Sequence, residues 1–169
     1  KQVANMNTGK YLDEELQDVS PTNFCIGVAA YPEKHFEAPN LTTDMRWLKA
    51  KIEAGAEYLV TQMFFDNSKY FAFVEKCKEM GINVPIIPGL KPITTRKQLT
   101  SLPKAFHVDI PQELIDRIEA CKTDADVKSE GIQWCVEQSK ELMKAGAPCL
   151  HYYTMSNAEI TCRIAEKVF

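Results

Sequence analysis

Gln62 lies in the stretch Thr61-Gln62-Met63-Phe64-Phe65-Asp66, directly after the apolar run Tyr58-Leu59-Val60. A carboxamide at the end of a buried strand can donate and accept hydrogen bonds, and Phe64 and Phe65 offer aromatic faces beside it. That combination suits a planar heterocycle; it also suits a core strand with a capped end. The same strand-end arrangement recurs three times. Tyr31 and His35 follow one apolar run, Lys91 follows Pro88-Gly89, and Tyr153 and Thr154 follow another. These groups hydrogen-bond and stack, and few are acids, so together they read as a cradle for a cofactor and a substrate rather than a hydrolytic centre. Each also has a plainer reading. Tyr31 can close a turn before Pro32, and His35 can face solvent in the charged loop Glu33–Glu37. Asp44 suits the first turn of any helix, Lys51 a solvated helix face, and Tyr153 a core ring.

Other chemistries are poorly supplied. The seven glycines form neither a dinucleotide fingerprint nor a phosphate loop, so side chains and helix ends must hold any dinucleotide. There is no nucleophile elbow and no cysteine–histidine spacing of a known kind. The three histidines are scattered and no metal site is expected. Six cysteines include no C-x-x-C pair and mostly fall in apolar periodic segments, so reduced, buried thiols of a cytoplasmic protein are expected. A net charge of -3 gives no field for nucleic acid and no polybasic membrane patch. No apolar run approaches the roughly 20 residues of a membrane helix. The chain opens on Lys1, so a preceding segment is expected and targeting is not judged from this end.

The elements that must position these groups follow from periodicity. The chain has 169 residues, 45% hydrophobic and 25% charged, enough for one α/β domain with a sizeable core. Residues 1–23 read as an irregular polar lead-in. Strands are predicted over Phe24–Ala30, Glu57–Thr61, Val84–Ile87 (closed by Pro88-Gly89) and Cys149–Tyr153. Between them come a helix capped within Asn40–Thr43, with Met45, Leu48 and Ile52 inward, and one capped by Asn67, with Tyr70, Phe71, Val74 and Cys77 inward. Further helices start near Thr95, Pro111 and Asp124, and a last one is opened by Asn157. Alternating strands and helices predict a parallel sheet. Two architectures fit: an open doubly wound sheet, or part of a (β/α)8 barrel, which typically needs about 250 residues. Four units starting without Met suit the C-terminal half of a barrel.

Five motifs carry a resemblance. VAAYPEKHFEAP, then D-x-x-x-L-K-x-K-x-x-A-G-A, VTQMFFD, IIPGLKPI and LHYYTMSNAE occur in that order from about Phe24 to the C-terminus. The series closely resembles the methylenetetrahydrofolate reductase family. The resemblance implies a flavoprotein TIM barrel of one-carbon and methionine metabolism, with this chain supplying about the last four β/α units. It places Tyr31, His35, Asp44 and Lys51 against FAD, the last two at its ribose and diphosphate. It places Gln62 against both folate and nicotinamide, Gln98 against folate, and Tyr153 on the substrate side of the flavin. There are departures. Asn157 stands where bacterial relatives have an arginine that meets the substrate, and it brings no charge to a glutamate carboxylate. Leu102 stands near a phenylalanine that lies against the folate ring in some relatives. Trp47 and Ala50 stand where some have polar or basic FAD contacts.

The implied reaction is two-step hydride transfer, from NADH or NADPH to FAD and then to methylenetetrahydrofolate, giving methyltetrahydrofolate. The family's general acid, a first-strand glutamate, is absent from this sequence, so no catalytic residue is assigned and the chain alone is expected to be inactive. Its expected partners are the missing N-terminal half of the barrel and the folate. Two alternatives remain: a non-catalytic half-barrel module that self-associates through the open edges near 24–30 and 149–153, and another phosphate-binding barrel enzyme such as an aldolase, with Lys91 as its lysine.

Overall fold

The computed structural model describes residues Lys1–Phe169. Four strands, β1 (Gly27–Ala30), β2 (Tyr58–Met63), β3 (Ile86–Leu90) and β4 (His151–Tyr152), form one parallel sheet in the order β1-β2-β3-β4. Around it lie α1 (Gln2–Asn7), α2 (Leu41–Glu53), α3 (Asn67–Glu79), α4 (Gln98–Phe106), α5 (Gln112–Ala120), α6 (Asp124–Lys144) and α7 (Ala158–Val168). The strand order runs in sequence and does not reverse. Right-handed crossovers between strands taken in sequence put every helix on the same face, whereas a doubly wound sheet requires the order to reverse. This sheet is singly wound.

Burial follows that winding. On β2, Leu59, Thr61 and Met63 are buried beneath helices, while Tyr58, Val60 and Gln62 alternate onto a partly open face. On β1, Gly27 and Ala29 are exposed on the same open face. Gly27 is required there, because a Cβ would lie 2.2 Å from the Tyr58 ring that crosses it. The main core joins Leu59, Leu90 and Ala30 to Met45, Tyr70, Phe73, Ile132, Cys135 and Ile164. A second core packs Met63, Phe65 and Ile93 under Leu102, Leu114, Ile118 and Val127.

Several local expectations change. The lead-in is not wholly irregular, since Gln2–Asn7 is helical. Asn7 pins the chain entering β1 by accepting from the Phe24 N–H at 2.9 Å and donating to its carbonyl at 2.8 Å. Asp66, not Asn67, caps α3 by accepting from the Ser68 N–H. Asn67 is instead a buried bolt to α6, donating to Glu141 at 2.6 Å and accepting from Gln138 at 3.1 Å. Pro88-Gly89 lies inside β3 rather than closing it. Proline is tolerated because its nitrogen faces β4 ahead of the two residues where β4 pairs. The free Ile86 carbonyl on that same side accepts from the Tyr70 hydroxyl at 2.7 Å. Of the cysteines, Cys77 and Cys135 are buried, but Cys25, Cys149 and Cys162 are exposed because they fall at element ends and on the outer face of α7. No helix is long and apolar enough to cross a membrane.

Candidate functional site

Because the strands are parallel, their carboxyl ends open onto one rim, where ligands of parallel α/β folds bind. Three hollows line it. The first, about 310 Å³, is bounded by Tyr31, His35, Asp44, Trp47 and Lys51. Its walls are held by the backbone. Asp44, in the first turn of α2, accepts from the His35 N–H at 2.9 Å, and the Tyr31 and His35 rings meet edge to face at 4.5 Å. Lys34, at φ 100°, folds back to donate to the carbonyls of His35 and Ala38. Lys51 donates to the Ala29 carbonyl at 3.1 Å. The Ile26 carbonyl bonds Glu57 at the start of β2, so by alternation the Ala29 carbonyl points to the open edge of the sheet. Lys51 therefore caps that edge beside the hollow. Trp47, 65% exposed, adds an aromatic wall.

A narrow crevice next to it brings Tyr31 against Gln62, with Glu33, Met63, His107 and Val108 around them. Gln62 sits at a register shift between Val60 and Met63, a device that re-aims a side chain at the end of a strand. Thr61 stabilises the shift with two bonds. Its hydroxyl accepts from the Gly89 N–H at 2.9 Å, and its carbonyl accepts from the Tyr153 hydroxyl at 2.9 Å. Gly89 leaves room for that ring, since a Cβ there would stand 2.7 Å from Tyr153 and 2.3 Å from the Thr61 carbonyl. The Gln62 carboxamide oxygen accepts from the Met63 N–H at 2.9 Å, which leaves its amide N–H groups without a partner.

The third hollow, about 170 Å³, lies between the ends of β3 and β4 and is lined by Lys91, Thr94, Gln98, Tyr153, Thr154 and Asn157, among others. Gln98 resembles Gln62. Its oxygen accepts from the Thr94 N–H at 2.6 Å and from the Thr94 hydroxyl, again leaving amide donors free. Asn157 is exposed and caps α7, accepting from the Ile160 N–H at 3.4 Å.

Two of the three hollows thus meet at Tyr31, and the third is tied to Gln62 through Tyr153 and Thr61. Burial pushes the Tyr31 hydroxyl up, with Asp44 and Glu37 adding to it; burial and then Tyr31 push up Tyr153. Both phenols therefore stay protonated donors. Leu102 does not reach the rim: it is 5% exposed in the second core. Thr61, expected at the strand end beside Gln62, is the group that fixes the register shift, a role its sequence position did not show. Glu33 accepts from the Asp109 N–H at 3.1 Å, and burial raises its carboxyl above the ordinary range. Larger hollows lie elsewhere. One of about 500 Å³ opens at the entry ends of β3 and β4, lined by Val84, Pro85, Ala147 and Pro148. No group of three His, Cys, Asp or Glu side chains is placed to hold a metal ion.

The fold and rim define an α/β protein with a parallel sheet and polar, aromatic hollows at the carboxyl ends of its strands. Residues 5–168 match the sequence profile described as methylenetetrahydrofolate reductase, and the chain belongs to that family. It is 41% identical over 135 residues to "Probable methylenetetrahydrofolate reductase (NADPH)" of Caenorhabditis elegans, covering 79% of this chain and 20% of that one. It is 36% identical over 143 residues to the Escherichia coli K12 "5,10-methylenetetrahydrofolate reductase", covering 84% and 48%. It is 38% identical over 143 residues to "Methylenetetrahydrofolate reductase (NADH) 1" of Arabidopsis thaliana, covering 79% and 24%. The chain therefore spans half or less of these relatives. Among solved structures, it shares its fold, at TM-score 0.59 and 24% identity, with an uncharacterized protein from Clostridium thermocellum described as binding two copies of 5-methyl-5,6,7,8-tetrahydrofolic acid. That match covers 83% of this chain and 51% of the other.

Proposed function

We propose that this chain is the C-terminal half of a (β/α)8 catalytic domain, residues 1–169 forming one unit, that reduces methylenetetrahydrofolate to methyltetrahydrofolate with FAD and a reduced nicotinamide. The observation that carries the reading is the convergence of Tyr31, Gln62 and Tyr153, far apart in sequence, on one rim. The sequential strand order, the uncovered sheet face and the two free edges support a barrel wall that other residues complete. The folate described for the Clostridium thermocellum protein, which shares this fold, supports a folate as the ligand class. The relatives' names include both NADPH and NADH, so no donor is preferred.

The first hollow fits a flavin nucleotide. Lys51 supplies the cation for a diphosphate, Asp44 a carboxylate for a ribose, and Tyr31, His35 and Trp47 supply ring faces. When bound, FAD would accept and pass on a hydride. The chain's own residues position the partners. The free amide of Gln62 orients the folate or nicotinamide ring, Gln98 offers a further contact to the folate, and Tyr153, fixed by Thr61, walls the substrate side. Proximity of this kind supplies much of the rate. No side chain of this chain is assigned as the acid that protonates the folate nitrogen; Glu33 and Asp66 are both engaged with backbone N–H groups. Family membership favours this reading over the aldolase alternative.

The test uses the full-length protein that contains this chain. Gln62→Ala should slow both nicotinamide oxidation and folate reduction by about 10- to 100-fold, the loss of one positioned hydrogen bond in each. Unchanged rates in both halves would refute the placement. Residues 1–169 alone should carry no flavin absorbance and no reductase activity.

A further inference from the structure

We propose that Lys91, at the exit of β3, is a carboxylation site: its amine adds carbon dioxide to form a carbamate held in the hollow between the ends of β3 and β4. This goes beyond the reductase reading and does not rest on it.

Lys91 is the only charged side chain buried in the molecule, at 8% exposure. It makes no hydrogen bond and no ion pair, although Lys34, Lys51, Lys69, Lys78 and Lys128 all do. Its backbone is fixed on both sides. The Leu90 carbonyl before it accepts from the Tyr153 N–H at 2.9 Å, and the Ile93 carbonyl beyond it lies under Gly131. Every fully buried side-chain nitrogen or oxygen has a partner, so the unpartnered Lys91 nitrogen keeps an opening, and the hollow of about 170 Å³ that it lines is that opening. The lining contains no Asp or Glu. The nearby Cys135 thiol offers no counter-charge, because burial pushes it up to about 12. A buried cation without a partner is costly. Burial also draws Lys91 below the ordinary lysine range, which enlarges the share of neutral, nucleophilic amine.

The remaining lining suits an anion. Thr154 and Thr161 bring hydroxyls, Gln98 brings free amide N–H groups, and the 11-residue helix α7 begins at the wall, its first turn capped by Asn157 at the Ile160 N–H alone. Donors therefore surround an ammonium that can itself only donate. The mismatch disappears if the amine acquires acceptors. Its lone pair forms a bond to the carbon of carbon dioxide, one C–O π bond opens onto oxygen, and the nitrogen releases one proton to solvent. Amine and carbon dioxide become a carbamate anion and a proton, and nothing is oxidised or reduced. Carbon dioxide is favoured over a ready-made anion because it is small and uncharged. It enters without shedding an ionic hydration shell, and it reacts with the neutral amine that burial favours. Dissolved carbon dioxide then sets the sign of the charge in this hollow.

The full-length protein, as wild type, Lys91→Met, Lys91→Arg and Gln98→Glu, would be equilibrated with ¹³C-bicarbonate and followed by ¹³C NMR. A parallel sample would be trapped by alkylation with a trialkyloxonium salt and mapped by peptide mass. The wild type should show a carbamate carbonyl resonance that Lys91→Met and Lys91→Arg lack, and the trapped group should lie on the peptide that carries Lys91. Gln98→Glu supplies a counter-charge and removes donors, so it should cut the Lys91 signal about 10-fold or more. Bicarbonate should raise the melting temperature of the wild type and not that of Lys91→Met. An unmodified Lys91 peptide overturns the proposal whether or not the variants fold. A resonance that survives in both Lys91 variants belongs to another amine and overturns it too. Undiminished signal in Gln98→Glu overturns the role of the lining donors. Equal stabilisation by chloride or phosphate would mark a plain anion site and overturn the carbamate.

Discussion

Gln62 and Gln98 are prepared alike: each ties its carboxamide oxygen to nearby backbone N–H groups and leaves its amide donors to the rim. Thr61 prepares Gln62 itself. Thr61→Val keeps the shape but orphans the buried Gly89 N–H, and should destabilise by about 1–3 kcal/mol, read by chemical denaturation. Lys91 runs the other way. Its folded value lies below its unfolded one, so the charged form is the disfavoured one in the native state. Its penalty is therefore present in full at neutral pH. It is relieved as pH climbs through the folded value toward the ordinary lysine range. Lys91→Met should raise stability at pH 7 by about 1–3 kcal/mol, with the advantage narrowing in alkaline solution. Equal or lower stability of the variant at pH 7 would contradict this. Thiol labelling checks the cysteine assignment. Cys25, Cys149 and Cys162 should react in the native protein, whereas Cys77 and Cys135, both pushed up to about 12 by burial, should react only on unfolding. The rim residues Tyr31, Gln62 and Tyr153 could be read from sequence because a parallel strand delivers its last residues to a known end. Thr61 could not, since its role depends on a register shift visible only with β3 in place. Leu102 misled because an apolar helix residue does not announce which side is core.

Helices were the most legible elements, since caps and 3.6-residue periodicity are local. α2 and α6 begin and end close to expectation, and α6 has a full capping box at Thr123 and Asp126. Thr123→Ala should lower stability by about 1 kcal/mol. Strands were less legible. β4 pairs over two residues rather than five, and β3 continues through Pro88-Gly89, because strand length is set by the neighbour and not by the run itself. Gly131 shows an element contact that sequence does not reveal. A Cβ there would lie 1.6 Å from the Ile93 carbonyl, so α6 sits directly on the chain that leaves β3. Gly131→Ala should force that segment away, with a loss of about 3 kcal/mol or more and a displaced Lys91 hollow. A thermal melt together with methyltetrahydrofolate affinity would detect both effects.

At the scale of the molecule, one winding direction explains the layout. Helices crowd one face, polar residues gather at one end of the strands, and the other face stays open, with Gly27 and Ala29 exposed and Tyr58 and Val60 partly so. The parallel sheet was legible from the alternation of elements, but its sequential order was expected only through the half-barrel resemblance, because pairing between distant strands leaves no local trace. Edges and an open face of this kind are completed by more barrel or by another chain. The most direct measurement is a crystal structure of the full-length protein with FAD and methyltetrahydrofolate bound. The account predicts the diphosphate near Lys51 and the pterin within hydrogen-bonding distance of Gln62 and beside Tyr153. Ligand bound instead in the hollow of Asp66, Trp134 and Glu141, or at the entry ends of the strands, would contradict it.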